Sequence, residues 1–213
     1  MNATKQAAVI ASLLIAGAAC GGSDAQDSLS QEDVPAQETP AEVAPMTTED
    51  MDEPMHAERE PLPSLPGDVT EGTFLSPDGD EVGTVQLTDT PQGLLVRVDV
   101  EGVGHGMHGI HLHETGLCEP EEGFTTAGGH ANPTSAEHGY LAEAGSHAGD
   151  LPNSYAHMDG HIRTDLFKEG VALADFRDDD GFAVMIHSGA DDYESQPSGD
   201  AGSRAACAAF PTE

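Results

Sequence analysis

A chain of 213 residues has room for one substantial domain and an appendage, and little beyond that. With 37% hydrophobic residues, 25 Gly, 14 Pro and no Trp, its composition suits a loop-rich β protein better than a bundle of long helices. Against 39 Asp and Glu stand 7 Lys and Arg, a formal charge of -32. That balance excludes a sequence-independent nucleic-acid binder, which needs cations to displace counterions, and a basic patch for anionic lipid.

The first element is an export signal, residues 1–19. Lys5 supplies a positive start, and an apolar run from Ala7 to Ala19 ends in small residues before Cys20. The run is too short to span a bilayer, which takes about 20 apolar residues. Cys20, directly after Gly17-Ala18-Ala19, resembles the lipid-acceptor Cys of bacterial lipoproteins, although Gly17 stands where Leu or a similar residue is usual. Cleavage after Ala18, leaving a freely soluble exported protein, is the other outcome this pattern allows.

Residues 20–65 show no helical or strand period, being rich in acids, Ser, Gln, Thr and Pro. Such a segment buries too little apolar area to offset chain entropy and is expected to be an extended, disordered tether. Within it, Met46, Met51, Met55 and His56 are soft ligands with no fixed spacing, and chance occurrence explains them more simply than copper capture.

A single folded domain is expected over residues 66–213. Short alternating runs at Val69–Leu75, Val82–Thr88, Leu94–Val100, His161–Phe167 and Phe182–His187 read as strands. In the third, Leu94, Val96, Val98 and Val100 share one face while Arg97 and Asp99 share the other. Turn signals at Pro77-Asp78-Gly79, Asp159-Gly160 and Asp178–Gly181 separate them. Between Thr115 and Asp150 lies a long stretch without strand period, and a loop of that length needs an internal organiser.

Histidine supplies it. Ten of the 11 His fall between His105 and His187. His111 and His113, in HGIHLHE, sit two apart on a strand and so point to one face. His130 lies in GGHANP, His138 in EHGY, His147 and Asp150 in HAGDLPN, and His187 in VMIHSGADDY. A lone His is usually a core or surface residue. Six with one carboxylate, gathered on a loop and two strands, suit copper and zinc better than the oxygen-seeking calcium or magnesium.

These motifs and intervals resemble the copper, zinc superoxide dismutases of the bacterial exported type, from about Gly67 to Phe210. The resemblance implies an all-β fold, an eight-stranded Greek-key barrel flattened like an immunoglobulin sandwich, with long metal-binding loops. It implies copper at His111, His113, His130 and His187, and zinc at His130, His138, His147 and Asp150, with His130 shared between them. Cys118 and Cys207 resemble the family's intrachain disulfide, Arg204 in GSRAAC the arginine beside copper, and Asp191 the carboxylate joining a copper ligand to a zinc ligand, here His111 and His138. His105, His108, His157 and His161 match no ligand position.

The implied activity is conversion of superoxide to oxygen and hydrogen peroxide, with His130 and Arg204 as catalytic residues. The alternative from another class is an exported protein that binds or buffers copper and zinc without turnover. Periplasmic location, or anchoring outside the cytoplasmic membrane through Cys20, is expected, with no nucleic-acid partner. A homodimer is compatible with the family.

Overall fold

The computed structural model describes residues 60–212. The expected signal segment, Cys20, the Met/His cluster and the tether up to residue 59 lie outside the described residues. Nine strands run in chain order: β1 Val69–Leu75, β2 Glu81–Thr90, β3 Gly93–Val100, β4 Gly106–His108, β5 Ile110–His113, β6 Ser154–Ala156, β7 Ile162–Glu169, β8 Phe182–His187 and β9 Arg204–Phe210. Among the described residues the only helices are single turns of 3-10 type at Pro120–Glu122, Thr125–Ala127 and Leu173–Asp175.

Seven strands form one curled antiparallel sheet in the order β5-β8-β9-β1-β2-β3-β7, while β4 and β6 form a two-stranded ribbon. β4 and β5 are one strand interrupted at Gly109, and the chain passes from β6 to β7 through a turn closed by His157 and His161. Counted that way there are eight strands, as expected, and the ribbon continues the sheet from both of its ends. The pairings of β3 with β7 and of β1 with β9 are the crossovers of a Greek key.

Alternation builds the core. Leu94, Val96 and Val98 of β3 are fully buried with Val85 and Leu87 of β2, in register across the antiparallel pair. Each such side chain contributes about 1.5–3 kcal/mol by leaving water. β8 differs, because all six of its residues are buried. Phe182, Val184 and Ile186 enter the main core, whereas Ala183 and Met185 meet Phe124, Ala127 and Cys207 of a second, smaller cluster. The long segment after β5 therefore covers the outer face of β8.

Besides the short strands β4 and β6, which no sequence pattern announced, two features differ from the sequence expectation. β9, Arg204–Phe210, is a strand of the main sheet, but its RAACAAF sequence carries no bulky alternation to betray it. At the other end, the last residues of the expected tether are held on the barrel. Leu65 is buried and donates its N–H to Gln86 Oε1 at 3.1 Å, and Arg97 and Arg163 donate to the carbonyls of Pro63 and Glu60.

Candidate metal centre

β5 presents His111 and His113 on one face while Ile110 and Leu112 enter the core on the other. The segment after β5 returns to pair with it. Leu112 donates its N–H to the Gly149 carbonyl and accepts from the Ala131 N–H, both at 2.8 Å. These bonds set His130 opposite His113 and Asp150 opposite His111. Gly149 is required here, since a Cβ would stand 2.3 Å from the Leu112 carbonyl oxygen. The long stretch without strand period is thus organised by backbone zipping onto β5.

Four buried imidazoles, His111, His113, His130 and His187, converge with their ligand atoms within 4.8 Å of one another. Their rings lie close, with His111 and His130 centroids 3.9 Å apart and His111 and His187 4.9 Å apart. His111 Nδ1, His113 Nε2, His130 Nε2 and His187 Nε2 are all buried without a hydrogen-bond partner. Each such orphan costs about 1–3 kcal/mol, and four facing one another form a donor set that a bound metal ion would satisfy. The opposite nitrogens of three rings are engaged: His111 Nε2 with Asp191 Oδ2 at 2.7 Å, His113 Nδ1 with the Gly128 carbonyl at 3.0 Å, and His187 Nδ1 with that of Gly202 at 3.4 Å. Burial lowers His111 to about 4, His187 to about 3 and His113 well below the ordinary value, so these rings keep a free lone pair at neutral pH. An all-imidazole set of this kind suits copper.

The second set is His130, His138, His147 and Asp150. Three Nδ1 atoms surround one carboxylate oxygen, Asp150 Oδ1, at 2.9 Å from His130, 3.0 Å from His138 and 3.3 Å from His147. Donors around a tetrahedral zinc, with bonds of about 2.0–2.1 Å, would stand roughly 3.3 Å apart. Asp150 Oδ2 accepts the N–H groups of Gly139 and His147, which fixes the carboxylate. Burial works against the charge of Asp150, but hydrogen bonds from His130 and His138 outweigh it and hold its carboxyl well below the usual range. His138 is raised to about 9, because Asp150 and Asp191 overcome its burial. His130 belongs to both sets, Nε2 facing the first and Nδ1 the second.

Asp191 joins the sets from outside, reaching His111 through Oδ2 and His138 through Oδ1 at 3.0 Å. Its own position is fixed by residues that the sequence reading missed. Asn153 accepts the Asp191 N–H and donates to its carbonyl, both at 2.8 Å, and Gln196 clamps the backbone of His138 in the same two-way fashion. Gly199, at φ +70°, leaves room for Asp191 Oδ1 where a Cβ would lie 1.9 Å away. These partners are remote in sequence and carry no spacing signal.

Arg204 opens β9 at the rim of a cleft of about 560 Å³ that His113, His130, His147 and His187 also line. Its guanidinium donates to the carbonyls of Phe124 and Gly128, the latter shared with His113. Among the described residues it is the only Lys or Arg lining the cleft, where Glu114 supplies a carboxylate. Cys118 and Cys207 form a disulfide with Cα atoms 5.8 Å apart, beside that arginine segment. The four histidines without a matching position are placed elsewhere. His108 is buried between the carbonyls of His187 and Gly104, His161 pairs with Asp99, and His105 and His157 flank Tyr155.

Residues 81–210 match the family described as copper/zinc superoxide dismutase (SODC). A Cu-Zn superoxide dismutase of Aquifex aeolicus is 37% identical over 141 residues, 63% of this chain and 81% of that protein. One from Caulobacter vibrioides is 34% identical over 61% of this chain and 78% of its own length. Among solved structures, a point mutant of a SOD-like protein from Bacillus subtilis superposes with a TM-score of 0.63 at 33% identity, covering 67% of this chain and 97% of that one. The Cu/Zn superoxide dismutase of Brucella abortus gives 0.57 at 32% identity, covering 67% and 99%.

Proposed function

The chain belongs to the copper/zinc superoxide dismutase family, and from that premise we propose how its residues divide the work of superoxide dismutation. His111, His113, His130 and His187 hold copper; His130, His138, His147 and Asp150 hold zinc. The observation that carries this reading is the set of four buried, unpartnered ring nitrogens facing one another, one of them on a histidine whose other nitrogen faces the second set. When bound, copper supplies the one-electron couple and zinc a fixed charge that does not change oxidation state.

The protein's own contributions follow from position. Dismutation consumes two superoxide anions and two protons, giving one oxygen and one hydrogen peroxide. Arg204 offers a permanent cation at the cleft, with donors left over after its two carbonyl bonds, and so docks the anion. His130 lines the same cleft, and its Nε2, free of any hydrogen-bond partner, is the nitrogen placed to take up a proton and hand it to product. Asp191 fixes the ring angles of His111 and His138.

Export supports the oxidised state of Cys118 and Cys207, since disulfides persist outside the reducing cytosol. We place the mature protein in the periplasm or on the outer side of the cytoplasmic membrane, anchored there if Cys20 is lipidated, and a homodimer is compatible with it. Superoxide decay followed with the copper- and zinc-loaded protein tests the assignment. Arg204→Ala should lower the rate about tenfold or more, the scale of electrostatic guidance, and His130→Ala should lower it further. A metal-loaded protein without activity would instead favour the binding or buffering protein.

A further inference from the structure

Lys168, on β7, is the only lysine among the described residues, and it is buried at 8% exposure. A buried ammonium is costly unless it is engaged. Its Nζ donates to Ser146 Oγ at 2.7 Å and stands 4.8 Å from the centroid of the Tyr140 ring. No carboxylate lies within ion-pair distance of it among the described residues. Both contacts lead to the second ligand set. Ser146 directly precedes His147 in the chain, and Tyr140 donates its hydroxyl to the Asp150 carbonyl at 2.6 Å.

We propose that Lys168 is a positioning residue for the zinc ligands, holding Ser146 and Tyr140 so that His147 and Asp150 keep their separation. This rests on the assignment of zinc to His130, His138, His147 and Asp150. The brace works from outside the site: β7 belongs to the barrel wall, whereas Tyr140 and Ser146 belong to the loop that carries the ligands. One ammonium therefore ties the loop to the rigid sheet at two points, one beside each of two ligands.

The sign of the effect separates positioning from plain electrostatics. Removing a nearby cation relieves repulsion toward a bound dication and would by itself slow its release. Removing a brace speeds it. Zinc transfer from the loaded full chain to a chromophoric chelator is measured well below the unfolding temperature. Lys168→Met is expected to release zinc about tenfold faster than the parent, the usual cost of losing an outer partner of a metal ligand. Lys168→Arg, which keeps a cation over Tyr140, should stay close to the parent rate.

Release from Lys168→Met at the parent rate or slower overturns the proposal, even if the melting temperature falls. Should Lys168→Met fail to fold, Ser146→Ala decides on the same terms. Asp150→Ala separates the two levels of the argument. Zinc retained undiminished there removes the ligand assignment and this inference together. Zinc lost there but released normally from Lys168→Met removes the inference alone.

Discussion

Asp191 holds the ring of His111 through a 2.7 Å contact from Oδ2 to Nε2, which leaves Nδ1 as the one nitrogen that ring can offer a ligand. The same carboxylate serves His138 through its other oxygen, so a single side chain orients one histidine in each set. Asp191→Ala is expected to weaken copper and zinc binding together, by about 10–100-fold each. Competition titrations with chelators selective for each metal check this; loss of one metal alone would show that the bridge is not shared.

Opening the disulfide should weaken the fold without touching a ligand. Cys118 and Cys207 are 89 residues apart, and their union ties the segment bearing Phe124 and Gly128, the carbonyl partners of Arg204, to β9. Removal of a native bridge from a small exported domain costs about 2–5 kcal/mol. Cys118→Ser should lower the guanidinium midpoint accordingly and reduce superoxide turnover. A midpoint equal to that of the oxidised parent would contradict the role assigned to the bridge.

Acid should destabilise the metal-free protein in a defined window. Burial lowers His111, His113, His147 and His187, with His111 at about 4 and His187 at about 3, whereas unfolded imidazoles titrate near 6.5. The unfolded chain then binds more protons below pH 6.5, so their contribution is full above that value and is lost as pH falls toward 4 and 3. His138, raised to about 9, acts in the opposite sense, losing its contribution as pH rises through 9. Four groups outweigh one on the acid side. Denaturant midpoints between pH 7 and 4 should fall steadily, and a flat series would refute the ionisation scheme.

Salt dependence follows from charge. Ser188 to Ser203 contains no Lys or Arg, and Arg204 is the one such cation lining the cleft among the described residues. From Pro66 onward the chain holds 5 basic and 27 acidic residues. A field of that sign opposes an approaching anion, and added salt screens it beyond about 8–10 Å. The rate constant for superoxide should be flat or rise with ionic strength. A steep fall across a salt series would mean that local attraction at the cleft dominates.

The sequence exposed some of this architecture and hid the rest for physical reasons. Val69–Leu75 and Phe182–His187 coincide with β1 and β8, and Leu94–Val100 falls within β3, because one-sided burial or a continuous apolar run leaves a pattern. The residues proposed as ligands stood out through motif and interval, and the structure gathers all seven into two sets that could hold metal ions and that share His130. β9 was not, since Ala206 and Ala208 enter the main core and Cys207 the cluster beneath the loop, and such small side chains mark no face. Nor were Asn153, Tyr140, Gln196 and Lys168, whose polar contacts bridge distant parts of the chain or depend on how the loop folds back on the barrel.

Sharing of His130 between the two sets is tested most directly by electron paramagnetic resonance of protein carrying Cu(II) in the first set and Co(II) in the second. Two paramagnetic ions on opposite nitrogens of one imidazole must couple, so cobalt loading should broaden or abolish the copper signal, while cobalt in a His130→Ala background should leave it unchanged. An unperturbed copper spectrum in the parent protein, with cobalt fully loaded, would contradict the shared-histidine account.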